Sequence, residues 1–324
     1  MNLILIVKKY PLDALILLLS FLFSYFLMSR TFSYENGNML IAAKAWSDFG
    51  SHIPLIRSFS LGWNFPVAYP LFSGEPIHYH FLFYLFVGLL EKIGLPINYA
   101  LNIPAAVGFT ALVYFLYLFA SKFFKSKATG ILTIFFFLFN GSFSFIYFLN
   151  LHPLSEKFIE EIVKNSTFPS FAPYREGLIA AFWNLNIYTN QRHLAMAFAF
   201  SLFIIYFFIK PVFNNERGQR ISGVIFLGIL LGCSYYFHIA VFLMTVIVII
   251  ILSILFSKVR AAGIILLICA AIISYPQCHY MNSVAQAFQT TFRPGYLIYD
   301  QLSLNSFFRY WFMNLGLHSI IMFL

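Results

Sequence analysis

The chain has 324 residues, 61% of them hydrophobic and only 10% charged, with a formal net charge of +9. That balance excludes an ordinary soluble domain, which is nearer half apolar with about a quarter of its residues charged. The basic residues are not clustered with aromatics, so the positive charge implies no nucleic-acid partner.

Long unbroken apolar runs such as 241–256 predict helices rather than the short alternating segments of a β-barrel. Against a span of about 20 residues, candidates fall near 11–29, 98–121, 128–149, 193–213, 221–237, 239–257, 261–276 and 308–324. The expected fold class is an all-α polytopic membrane protein with about eight transmembrane helices, 1–324 forming a single transmembrane domain. Lys8 and Lys9 precede the first run as in a signal peptide, but Met28-Ser29-Arg30-Thr31 offers no small-x-small cleavage site. A retained signal-anchor helix is therefore expected.

The run 81–90 is short and is followed by Glu91 and Lys92. Apolar runs of about 10–14 residues are more often interfacial or re-entrant than spanning, so 81–95 is read as an interfacial helix. If 81–95 does not cross, the connections alternate cleanly. One side then holds Lys8, Lys9, Lys122, Lys125, Lys127, Lys210, Arg217, Arg220, Lys258 and Arg260 against Asp13 and Glu216; the other holds ten cations and nine acids. The positive-inside rule makes the first side cytoplasmic and puts the N-terminus there, in a multi-pass protein of the cell (plasma) membrane. The extracytoplasmic loops are then 30–97, which carries the interfacial helix, 150–192 and 277–307. The chain stops at Phe323-Leu324 inside an apolar run, which suggests the front of a longer protein. No internal repeat is evident.

Segment 45–80 concentrates chemistry: Asp48, His52, Arg57, Glu75, His78 and His80 stand there in a chain otherwise poor in charge. Asp48, between Trp46 and Phe49 and near the outer face, is suited by partial desolvation to general-base work. Ser47 and Asp48 are equally good helix caps. His52 shares a helix face with Asp48, and Pro54 is expected to confine that helix to its first turn. His78 and His80 flank Tyr79 and point the same way if extended. A zinc site built from Glu75, His78 and His80 matches no fixed ligand spacing, so no metal or other cofactor is assigned.

Asn190-Gln191-Arg192-His193 opens a span, and the guanidinium with the helix N-terminus would form an outward-facing anion site. Arg192 snorkelling to lipid headgroups is the competing account. His238 reads as a structural turn residue, and Cys233 and Cys269 as packing residues. The sequons at Asn140 and Asn165 matter only in a glycosylating host. There is no Gly-rich phosphate loop, HExxH or GxSxG, which argues against nucleotide-driven transport.

A first span, an external loop with an early Asp, the segment GWNFPVAYPLFSGEPIHYHFLFY, a short amphiphilic helix and a span ending in basic residues together resemble the GT-C superfamily of membrane glycosyltransferases. That group includes protein mannosyltransferases and aminoarabinose transferases, and the likeness covers roughly the first two hundred residues. The quoted segment is similar to that in a poorly characterised prokaryotic branch of multi-spanning cell-envelope proteins placed near this group. The resemblance implies a sugar transferred from a polyprenyl-phosphate donor at the extracytoplasmic face, among membrane lipids, to an acceptor the sequence does not name. It implies Asp48 as the catalytic carboxylate; on that reading the fixed charge of Arg192, helped by His193 or by His78 and His80, would hold the donor phosphate, with His52, Arg57, Glu75, His78, Tyr79, His80 and Gln191 lining the site. Many relatives carry two adjacent acids, whereas Asp48 stands between Ser47 and Phe49, so metal-independent inverting transfer fits better. The rival readings are a transporter or lipid flippase, which predicts charges in mid-span, and a non-catalytic GT-C-like subunit.

Overall fold

Helices carry most of the chain in the computed structural model, which describes residues 9–42, 46–72, 74–139, 142–164, 183–214, 220–282 and 303–322. They are α1 (Pro11–Thr31), α2 (Trp46–Ser60), α3 (Leu82–Lys92), α4 (Ile97–Phe123), α5 (Lys127–Leu138), α6 (Phe145–Leu151), α7 (Phe158–Lys164), α8 (Trp183–Asn190), α9 (Arg192–Phe213), α10 (Ile221–Cys233), α11 (Ile239–Leu255), α12 (Ser257–Asn282), α13 (Leu304–Leu315) and α14 (Leu317–Met322). Four of them, α1, α4, α9 and α12, are long and apolar enough to cross a membrane.

The other expected spans are shorter helices. Segment 128–149 holds α5 and, after a break, α6; 221–237 and 239–257 hold α10 and α11; 308–324 is divided between α13 and α14 at Gly316. Apolar run length overestimates a helix wherever the backbone turns, and Gly316 turns it with φ 51°. Segment 81–95 contains only the eleven-residue α3. The loop stretches 165–182 and 283–302, with the Asn165 sequon, Arg293 and Asp300, lie outside the described residues, as do Asn140, Lys8, Glu216 and Arg217.

Two features depart from the sequence reading. A hairpin, β1 (Phe32–Glu35) antiparallel to β2 (Asn38–Ile41), follows α1 directly. Its turn is Asn36-Gly37, both at positive φ, the backbone that a two-residue hairpin requires. Pro54 also does not end its helix: α2 runs on to Ser60. Burial of Leu55, Ile56 and Phe59 on the same helix offsets the backbone hydrogen bond that proline removes.

The residues group into two compact units, 1–131 with 188–287, and 132–187 with 288–324. In the first, α1 packs on α4 through Ile16, Ser20, Ser24 and Met28, a stripe at four-residue spacing. The small serines let the two backbones approach. Glycines set the other close contacts. A Cβ on Gly108 would stand 2.8 Å from Met196 Cβ, joining α4 to α9; one on Gly228 would stand 2.6 Å from Cys269 Cβ, and one on Gly232 2.5 Å from Ile273 Cβ, joining α10 to α12. Gly88 leaves only 2.7 Å to Phe59 Cβ, which seats α3 on α2. At one end of the bundle Asp13 pairs with Lys127 and accepts a hydrogen bond from Tyr117. At the other end, the end of α1 and the starts of α4 and α9 meet.

In the second unit, Phe143 N–H donates to Met313 O at 2.8 Å and the Phe143 and Phe312 rings pack at 5.2 Å. Asn184 Nδ2 donates to Phe137 O at 2.6 Å.

Candidate functional site: a buried histidine cluster

The site lies where apolar helices end, and each part of it is held by local backbone chemistry. Asn64 accepts from Ala68 N–H and donates to Ala68 O, both at 2.9 Å, closing a tight loop. Ile77 N–H then donates to Val67 O and Tyr69 N–H to Glu75 O, so the chain doubles back and delivers Tyr79 and His80 inward. Tyr280 Oη ties the loop to α12 through Val67 O at 2.9 Å. His193 stands in the first turn of α9, and His238 is the N-cap of α11, its Nδ1 accepting from Val241 N–H at 3.4 Å.

Three separate segments thus bring His80, His193 and His238 together. His80 Nε2 and His193 Nε2 are 2.7 Å apart. The ring of His238 lies 4.5 Å from His80 and 5.5 Å from His193, centroid to centroid. Tyr84 Oη meets His193 Nδ1 at 2.7 Å, so both ring nitrogens of His193 are engaged inside the protein. His52, on α2, stands edge-on to His193 at 5.6 Å and 4.6 Å from the Tyr84 ring. Tyr79 covers His80 with ring centroids 3.7 Å apart.

His193 is 0% exposed, His52 6% and His80 8%. Desolvation disfavours the charged imidazolium. Burial, and then the positive charge of Arg192, pushes His52 down to about 3. Burial, followed by His238 and His52, pushes His80 down to about 2. His238 is lowered by burial too. Burial raises Tyr79 to about 12 and holds Tyr84 well above its usual value, and the Asp48 carboxylate adds to both shifts. Burial thus works against the charged form of His52, His80 and His238 and against ionisation of Tyr79 and Tyr84.

Asp48 lies in the first turn of α2, half-buried. Its Oδ2 is buried and has no hydrogen-bond partner among the described residues. Buried polar groups are nearly always paired, which sets this oxygen apart from most of its kind.

Arg192 does not face outward. It is 2% exposed. Its Nε donates to Thr189 O at 3.2 Å, Nη1 to Asn102 Oδ1, and Nη2 to Met28 O at 3.0 Å and Thr31 Oγ1 at 2.8 Å. Phe49 and Phe32 flank the guanidinium at 5.1 and 5.7 Å. Four of its five N–H groups are spent on neutral protein acceptors. Asn102 completes the joint by donating to Phe32 O at 2.9 Å. The cation pins α1, α4 and α9 together.

The structure brings Asp48, His52, Tyr79, His80 and His193 to one end of the first unit. Arg57 is elsewhere, its Nε 3.1 Å from Glu91 Oε1. Glu75 and His78 are exposed. Gln191 is the N-cap of α9, its side chain making no cap bond. His238 and Tyr84 are the members that sequence reasoning did not assign to the site. The available signal was that His80, His193 and His238 each stand just before or at the start of an apolar helix. Comparison with protein-family models, curated proteins and solved structures found no match.

Proposed function

We infer that the chain is a glycosyltransferase that moves a sugar from a polyprenyl-phosphate donor to an acceptor hydroxyl at the extracytoplasmic face of the plasma membrane, with its N-terminus cytoplasmic. The observation that carries this reading is Asp48: a carboxylate oxygen, buried and unpartnered among the described residues, at the start of the first helix beyond an apolar span. A site at the edge of the bilayer suits a donor whose tail stays in lipid.

In the reaction, Asp48 takes the proton of the acceptor hydroxyl. The oxygen attacks the anomeric carbon, the bond to the phosphate oxygen breaks, and the electron pair leaves on the lipid phosphate. Tyr79 and His52 line the approach. This reading gives Arg192 no part as phosphate clamp, because four of its five donors are engaged within the protein.

A transport path is less well supported. The Asp, Glu, Lys and Arg residues of α1, α4, α9 and α12 sit in the first or last turns: Asp13, Arg30, Lys122, Arg192, Lys210, Lys258 and Arg260. The test is to incubate membranes with labelled polyprenyl-phosphate sugars and follow label leaving the lipid. Asp48→Asn should reduce transfer by about 10²-fold or more while inserting normally. Wild-type turnover by that variant refutes the assignment.

A further inference from the structure

We propose that His80, His193 and His238 together bind one zinc-class divalent cation, each through a single ring nitrogen. One ligand nitrogen from each of the three lies within 4.8 Å of the other two. Imidazole suits zinc, copper, iron and nickel, and the form that binds is the neutral one. Zinc at about 2.0–2.1 Å from each nitrogen in tetrahedral geometry separates the nitrogens by about 3.3 Å. The 2.7 Å contact between His80 and His193 needs to open by about 0.6 Å to reach that spacing, a small side-chain shift.

The surroundings match those of a metal ligand set. A metal-bound histidine donates its second N–H to a fixed acceptor, and Tyr84 Oη already holds Nδ1 of His193 at 2.7 Å. That assigns the metal to Nε2 of His193, the nitrogen that faces His80. Two existing bonds compete: the 2.7 Å contact between His80 Nε2 and His193 Nε2, which the metal would replace, and the cap from Val241 N–H to His238 Nδ1, which at 3.4 Å is long. Glu75 and His78, the other candidates from the sequence, are exposed and take no part.

Three protein ligands leave a fourth position open, as catalytic rather than structural sites do. On the transfer reading, and resting on it, that position receives an oxygen of the donor phosphate. There the cation would supply positive charge beside the leaving phosphate, a role that Arg192, with four of its five donors held by the protein, does not fill.

The test uses the full chain, purified in lipid nanodiscs, stripped with a chelator and titrated with Zn²⁺ and with Co²⁺. One equivalent bound per chain is expected, with visible ligand-field bands for Co²⁺. His238→Ala and His80→Gln should each weaken Zn²⁺ binding at least tenfold, whereas His279→Ala, outside the cluster, should not. Should a cluster variant fail to insert, zinc-edge absorption on the wild type decides, with three nitrogen ligands at about 2.0–2.1 Å expected. A monodisperse wild type that takes up no metal overturns the proposal, as does affinity unchanged in both cluster variants. No sugar is present in the titration, so its failure and the failure of a transfer assay are separate results.

Discussion

Tyr84 and His193, 109 residues apart in the chain, meet at 2.7 Å, phenol oxygen to Nδ1, with both side chains buried. This contact joins α3 to the start of α9 and sets the orientation of the imidazole at the centre of the histidine cluster. Without it, His193 keeps a buried ring nitrogen with no partner.

Tyr84→Phe should therefore destabilise the fold by about 1–3 kcal/mol, the usual consequence of orphaning a buried polar atom. Thermal unfolding in detergent, compared with the wild type, measures it. An unchanged midpoint would mean that His193 finds its second hydrogen bond elsewhere.

Arg192→Lys is expected to behave as a folding defect, not a binding defect. An ammonium on a flexible stem does not reproduce the planar fork that reaches Asn102, Met28, Thr31 and Thr189 together. At least two buried acceptors lose their donor, so a loss of about 2 kcal/mol or more follows. Limited proteolysis should show α1 and α9 cut earlier. A lysine variant as stable as the wild type but deficient in transfer would return Arg192 to the donor phosphate.

Gly88→Ala tests the seat of α3 on α2. The added Cβ would fall 2.7 Å from Phe59 Cβ and 2.8 Å from Ile56 O, and a backbone carbonyl does not yield as a side-chain tip does. Overpacking of this kind costs about 1–3 kcal/mol. Because α3 carries Tyr84, the variant should also weaken whatever binds at the cluster. Unfolding midpoints and ligand titrations on the same preparation separate the two effects.

Thr245→Val removes a hydroxyl that meets Ser201 Oγ at 2.6 Å between α9 and α11 and donates to Val241 O. Inter-helix hydrogen bonds inside membranes average only about 0.6 kcal/mol. The shift in unfolding should accordingly be much smaller than for Arg192→Lys. A larger loss than Arg192→Lys would move the weight of helix association from the buried cation to the hydroxyl pair.

Composition alone determined that this chain is built from apolar helices, because a run such as 239–255 has no polar face to offer water. The short run at 81–90 and its charged end also signalled a helix too short to cross. Asp48 and His52 announced themselves as charge and imidazole in a chain with little of either. Where the apolar run 308–324 breaks was not legible, since Gly316 interrupts the helix with a single residue inside an apolar stretch. The hairpin was written in Asn36-Gly37, a short local signal next to a much stronger apolar one.

Only the tertiary structure decided which polar residues meet. Arg192 looks like an outward cation from its place at a helix start, and becomes an internal tether because Asn102 and the end of α1 are packed against it. His238 looks like a lone turn residue, and becomes a cluster member because α11 begins beside His80. Periodicity and spacing describe one segment at a time. The convergence of residues 80, 193 and 238 depends on how helices far apart in the chain pack, which no local pattern encodes.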